Sequence, residues 1–212
     1  MTDTHGRFIS FEGGEGAGKS THIAALAENL RQRGHDVLVT REPGGTTGAE
    51  AIRNLIVTGA GDRWSAEAEL LLLLAARRDH VERVIEPALA QGRLVLCDRF
   101  SDSTVAYQGA ARGLGVERVA SLDAEWGAGG LKPDLTLLLD LDVKVGLART
   151  TGRAGDETRF EGLDLDFHET LRQAFLTRAK AEPDRIAIVD AGAALEAVST
   201  AVIDAVTIRL GL

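Results

Sequence analysis

The sequence predicts an α/β protein with a doubly wound, parallel, five-stranded sheet flanked by helices. Two observations carry this. Five short runs, Phe8–Phe11, Val37–Thr40, Leu94–Cys97, Leu135–Leu139 and Ile186–Val189, are continuously apolar rather than alternating. Strands covered on both faces read this way. Longer helical patterns fall between the runs, and strand–helix alternation favours parallel crossover units.

The elements follow in order. A helix over Lys19–Arg33 succeeds the first strand and stops at Gly34. Gly44 and Gly45 open a loop before a helix over Ala49–Val57. A long helical region runs from about Ser65 to Gln91, with Pro87 near its end. Helices over Val116–Glu125, Leu165–Ala181 and Leu195–Leu210 complete the pattern, and Pro133 introduces the fourth strand. With 212 residues, 44% hydrophobic and 26% charged, the chain fits one domain with a sizeable core. No repeat or linker divides residues 1–212.

The net charge is −8 and no long Lys/Arg run is present, which disfavours a nucleic-acid partner. A small anionic ligand needs only a local cationic pocket. A single cysteine, Cys97, excludes an intrachain disulfide and agrees with a reducing compartment. Its apolar setting, Leu94-Val95-Leu96-Cys97, suits a small buried hydrophobe better than a reactive thiol. The longest apolar stretch, Leu70 to Ala76, is far short of the ~20 residues of a membrane span. The N-terminus lacks the layout of a signal peptide. The expectation is a cytoplasmic protein with no membrane partner.

The decisive motif is Gly13-Gly14-Glu15-Gly16-Ala17-Gly18-Lys19-Ser20, which matches G-x-x-x-x-G-K-[ST] between a strand and a helix. Glycines let the backbone curl so that successive N–H groups face phosphate oxygens, and the helix start adds its positive dipole end. Lys19 places an ammonium between β- and γ-phosphates, and Ser20 offers a hydroxyl to Mg²⁺. Glu15 would repel phosphates, so it must face away, toward a sugar hydroxyl or a hydrated metal. No cation in the loop is left over for the transferred group, so that charge must come from elsewhere.

Asp98-Arg99 follows the third strand, at the carboxyl edge where open α/β sheets gather ligands. Asp98 suits a water on Mg²⁺, and Arg99 suits a phosphate through its planar fork. Arg41-Glu42-Pro43-Gly44-Gly45 ends the second strand as either a ligand-facing loop or an ordinary turn. Of Arg77-Arg78, one can reach an acceptor while the other meets solvent. Arg149, Arg153 and Arg159 bracket a loop holding Gly152 and Gly155. Such a loop suits a mobile lid at about residues 149–161 that supplies charge on closing, and the alternative is a solvated charged loop.

Together these segments resemble the thymidylate kinase family in its bacterial form. The resemblance spans almost the whole chain. It rests on Phe11-Glu12-Gly13 through Ser20, Arg41 to Gly45, Ala75-Ala76-Arg77, Asp98-Arg99-Phe100 and Ser103-Thr104-Val105-Ala106-Tyr107-Gln108-Gly109. It implies a P-loop, nucleoside-monophosphate-kinase-like fold, usually a homodimer, that moves the γ-phosphoryl group of ATP–Mg²⁺ to dTMP.

By the same resemblance, Gly13 to Ser20 with Thr21 bind ATP, and Ser20 and Asp98 serve the metal. Glu15 contacts the acceptor's 3′-hydroxyl, Arg99 its phosphate and Arg77 the thymine. Thr104, Tyr107 and Gln108 line base and sugar, and Arg41 and Pro43 border them. Tyr107 crowds the 2′ position against ribonucleotides. The bacterial form keeps its catalytic arginines in the lid, which points to Arg153 first and then Arg149 and Arg159.

One departure is plain: Leu73 stands where the family commonly stacks a phenylalanine on thymine. Either dTMP binds more weakly than is usual, or Phe100 takes over the contact. The rivals are another nucleoside monophosphate or deoxynucleoside kinase, and a P-loop switch. Guanine switches need Asn-Lys-x-Asp, whereas Asn29 and Asn54 are each followed by leucine. Partitioning-type ATPases need an early loop lysine where Gly14 stands.

Overall fold

The computed structural model describes residues 6–60, 62–150, 159–160 and 162–212. Strands β1 (Phe8–Glu12), β2 (Val37–Arg41), β3 (Leu94–Asp98), β4 (Leu135–Asp140) and β5 (Ile186–Asp190) form one all-parallel sheet in the order β2-β3-β1-β4-β5. This is the expected doubly wound architecture. Each strand runs one residue past its apolar run, to Glu12, Arg41, Asp98, Asp140 or Asp190. The polarity change that ended the sequence pattern is the edge where the sheet meets its ligand side.

Alternate strand residues feed opposite apolar layers. Ile9, Phe11, Leu96 and Leu137 pack with Ile23, Leu26 and Leu30 of α1 (Lys19–Gln32) and Val198 and Val202 of α9 (Leu195–Leu210). Phe8, Val95 and Cys97 pack the other way, on Val81, Ile85 and Leu89. Cys97 is fully buried, and burial raises its thiol pKa well above the usual value, so it behaves as a small hydrophobe.

Helix α2 (Thr47–Val57) is capped by Thr46, whose hydroxyl accepts from the Ala49 amide at 3.0 Å. Ser65 caps α3 (Ala66–His80) in the same way. That helix continues through wider π-type turns at Val81–Ile85 into α4 (Glu86–Ala90), which makes up the long region expected from about Ser65.

Two helices were not legible as such. α5 (Ser101–Thr104) runs on through π-type turns at Val105–Ala111, over a polar, glycine-containing stretch with no apolar period. Phe100 gives its N-terminus no side-chain cap. Instead the buried Glu12 carboxylate at the end of β1 accepts from the Phe100 amide (2.8 Å), the Ser103 amide (3.3 Å) and the Ser103 hydroxyl (2.5 Å). A distant carboxylate thus satisfies the orphan donors of the helix. α6 (Val116–Leu122) follows, and π-type turns extend it to Gly127.

The second is α7 (Val143–Thr150), where Asp142 accepts from the Lys144 and Val145 amides. Arg149, expected in the lid loop, lies in the last turn of this helix. α8 (Leu165–Ala181), capped by Asp164, matches its expected bounds.

Candidate active site

Strand register brings three separated motifs into one row. Phe11 of β1 pairs with Asp98 of β3, and Asp98 pairs with Arg41 of β2. The phosphate loop, Asp98-Arg99 and Arg41-Glu42-Pro43 therefore leave the sheet side by side at its carboxyl edge, the place where such sheets bind ligands.

The loop after β1 takes left-handed backbone at Gly13, Gly16 and Gly18, with φ of 136°, 70° and 86°. At Gly16 a Cβ would also collide with the carbonyl oxygen of Gly146, because α7 sits directly on the loop. Glycine is required there on both counts. The Lys19 ammonium donates to the carbonyl oxygens of Gly13 (3.2 Å) and Gly14 (3.1 Å), held over the loop it serves. Burial first, and then the neighbouring Arg99, lower its pKa. The Ser20 hydroxyl donates to Asp98 Oδ2 at 3.0 Å, which joins an oxygen pair contributed 78 positions apart.

Arg99 is the one non-glycine with positive φ among the described residues, at 70°. This backbone costs ~1–2 kcal/mol, and it turns the guanidinium back across the loop. Arg99 donates to the Gly13 carbonyl (3.1 Å), the Ser103 hydroxyl (3.1 Å) and Glu15 Oε1 (3.0 Å), and lies over the Tyr107 ring. The Tyr107 hydroxyl donates to the same Glu15 oxygen at 2.6 Å. Burial opposes ionisation of Glu15, but Arg99, then Lys19 and the Tyr107 hydroxyl outweigh it and hold its pKa at about 2. Glu15 stays charged, in contact with Arg99 and Tyr107.

These groups border a cleft of about 320 Å³. It is lined by Glu15, Gly16, Ala17, Gly18, Lys19, Ser20 and Thr21, by Arg41, Pro43, Leu73, Arg77, Asp98 and Arg99, and by Thr104, Tyr107 and Gln108. Gly13 and Gly14 face a smaller space behind the loop.

Arg77 is buried, donating from Nε to Glu42 at 2.6 Å and from Nη1 to Asp123. Burial works against its charge, but Asp123 and Glu42 raise its pKa. Its Nη2 has no protein partner among the described residues. Glu42 also meets His80 Nδ1 (2.9 Å), whose Nε2 bonds Thr40 (2.7 Å). With both ring nitrogens used, the nearby Glu42–His80–Cys97 group acts as a prop for Arg77 rather than as a metal centre.

The aromatic question resolves by burial. Phe100 is fully buried, edge-on to Phe8 at 4.8 Å, and does not reach the cleft, so it does not substitute at the Leu73 position. Phe160 lines the cleft instead and meets Tyr107 edge-to-face at 5.5 Å.

The lid arginines separate. Arg149 donates to the Ala191 carbonyl at 3.3 Å, beside the loop after β5. Arg159 is not over the phosphate loop. Its guanidinium is buried, ion-paired to Glu69 at 2.6 Å and bonded to the carbonyls of Ile56 and Ala60. Arg159, expected as a lid arginine, is held in this structure by a buried carboxylate on α3. Arg153, with Gly152 and Gly155, lies outside the described residues.

Sequence reasoning did not single out Arg53, Ile56, Val57 or Phe160, which also line the cleft. Arg53 donates to the Pro43 carbonyl at 2.9 Å. It reads as an ordinary helix-surface cation, and no local signal marks it. Ser103 and Glu42, also lining, lay inside recognised motifs without a role of their own.

A G-x-x-x-x-G-K-S loop between a strand and a helix, at the ligand edge of a parallel sheet with an arginine brought across it, is the arrangement of P-loop nucleotide-dependent phosphotransferases. The thymidylate kinase family model matches residues 11–202. The chain is 58% identical over 209 residues to a thymidylate kinase of Caulobacter vibrioides, covering 99% of this chain and 100% of that one. It is 54% identical to one of Magnetococcus marinus, over 93% of each. The crystal structure of thymidylate kinase from Ehrlichia chaffeensis superposes with a TM-score of 0.79 at 31% identity, over 95% of this chain and 99% of that one. The chain belongs to the thymidylate kinase family.

Proposed function

We propose that this cleft transfers the γ-phosphoryl group of ATP to dTMP, giving dTDP and ADP, through the residue roles below. One observation carries the reading: the Lys19 ammonium and the Arg99 guanidinium converge on the Gly13 carbonyl, at 3.2 and 3.1 Å. A cation suited to the donor phosphates and a cation suited to the acceptor phosphate thus stand beside one atom, close enough to act on one transferred group.

The loop from Gly13 to Thr21 binds the ATP phosphates through its backbone and Lys19. Ser20 and Asp98 form an oxygen-only pair that fits Mg²⁺, which supplies neutralisation of β- and γ-phosphate charge when bound. Arg99 grips the acceptor phosphate. Glu15, ionised and beside Tyr107, accepts from the sugar 3′-hydroxyl. Arg77 presents its remaining edge to the base, with Leu73, Thr104, Gln108, Arg41 and Pro43 around it. The acceptor oxygen is already anionic near neutral pH, so no strong general base is needed, and rate comes from positioning and charge. Arg153, in a lid of about 149–161, stabilises the group in flight. Arg149, on the Ala191 carbonyl, borders the adenine side.

We read residues 1–212 as one kinase domain working as a cytoplasmic homodimer. Leu71 and Trp126, on packed neighbouring segments, are 64% and 62% exposed, which suits a covered face. No helix among the described residues is long and apolar enough to cross a membrane.

The test of the reading is ADP release across nucleoside monophosphates. dTMP should be the preferred acceptor, and preference for AMP, GMP or UMP would overturn it. The Leu73 position gives a second expectation. Base–aromatic stacking is worth roughly 1–3 kcal/mol, and leucine retains part of that. Leu73→Phe should lower the KM for dTMP about three- to tenfold with kcat little changed. An unchanged or raised KM would show that leucine costs nothing here.

A further inference from the structure

Glu69 of α3 is a completely buried carboxylate outside the phosphate-binding machinery. Its two oxygens have different partners. Oε2 accepts from Arg159 at 2.6 Å and from Arg112 at 3.3 Å. Oε1 accepts from Gln108 Nε2 at 2.8 Å. Gln108 lines the acceptor cleft, is itself 1% exposed, and its Oε1 is buried with no hydrogen-bond partner.

A carboxylate facing two guanidiniums can only accept, so the Gln108 amide must turn its NH₂ toward Glu69. Its carbonyl oxygen is thereby left without a hydrogen-bond partner, on a residue that lines the cleft. A buried acceptor without a partner is costly, and a donor on the bound base removes that cost. Thymine and uracil carry a donor at N3, whereas cytosine carries an acceptor there.

The geometry points to Glu69 as a positioning residue that sets the polarity of the Gln108 amide and so biases the cleft toward bases with an N3–H and against cytosine. This rests on the reading of the cleft as the dTMP site. The same carboxylate holds Arg159, and with it the segment carrying Phe160 against Tyr107, so base recognition and the seating of that segment share one buried anion.

Glu69→Gln makes a polarity-specific prediction. Both arginines contact the Oε2 position and can only donate, so the new amide keeps its oxygen there and puts its NH₂ where Oε1 was. Gln108 must then flip to accept, which presents its own NH₂ to the cleft. kcat/KM should be measured for dTMP, dUMP and dCMP. The dTMP:dCMP ratio should fall about ten- to a hundredfold, with dUMP falling alongside dTMP. In a Gln108→Leu background the same substitution should leave the ratio unchanged.

Glu69→Asp keeps the charge that the arginines need while withdrawing it from Gln108, and carries the test if Glu69→Gln does not fold. Its ratio should fall by a smaller factor. Equal losses on all three nucleotides in a folded variant would mean a merely structural role and would overturn the proposal. Wild-type protein that does not prefer dTMP would instead sink the reading of the cleft.

Discussion

Lys19→Ala is expected to lower kcat by about 10²–10³-fold while the protein stays folded. Among the described residues the ammonium bonds only carbonyl oxygens of its own loop, Gly13 and Gly14. Gly13 keeps the Arg99 contact when the lysine goes, so the main loss of stability is the charged hydrogen bond to the Gly14 carbonyl, about 1.5–3 kcal/mol. For a chain of this size that is a fall in Tm of roughly 3–12 °C.

Activity has no such fallback. Charge builds on the transferring phosphoryl group, and Arg99 stands on the acceptor side with Gly13, Ser103 and Glu15 already bound to it. Lys19→Arg should fare little better, because a planar fork does not replace a compact ammonium inside a curled loop. Steady-state kcat, the KM for ATP and a thermal melt together check the expectation. A variant within threefold of wild type would remove Lys19 from the chemistry.

Arg153→Ala is expected to cost more, about 10³–10⁵-fold in kcat, with the KM for both substrates nearly unchanged. The phosphate loop has Gly14 and Ala17 where an arginine would otherwise serve. Arg159 is held by a buried ion pair to Glu69 and by two backbone carbonyls, and releasing it would leave Glu69 deep in the protein without its nearest cation. Arg149 is directed to the Ala191 carbonyl. Arg153 is the remaining arginine of the expected lid. An interaction made only in the transition state lowers kcat and kcat/KM together, which is the signature to look for. Turnover near wild type in Arg153→Ala would pass the role to Arg149.

Much of this protein is legible in its sequence. The five strands, their parallel arrangement and the phosphate loop follow from local pattern. A strand buried on both faces must be continuously apolar, and a backbone that wraps phosphate must be contiguous and rich in glycine. Glu15, Lys19, Asp98 and Arg99 could be named for the same reason, since each sits in a short motif at a strand's carboxyl end, whereas Tyr107 was named only through the family resemblance.

What stayed hidden depends on partners far away in the chain. Residues 101–111 carry no helical period, and the helix exists because Glu12, some ninety positions earlier, accepts its first amides. Burial, then Asp102, raise the Glu12 pKa to about 7, the price of holding that carboxylate in the core. Arg159 looked like a lid cation because its neighbours are glycine and charge, but Glu69 on α3 claims it.

The sequence by itself determined the sheet, the loop that grips phosphate and the types of residue around it, since each is encoded in a few adjacent positions. Tertiary structure alone decided which charge pairs with which, and so which arginines support the site and which are left to act on the ligand. Ion pairs and caps between distant segments are set by where folding brings buried groups together, because a charge taken out of water must find its partner wherever that partner lies.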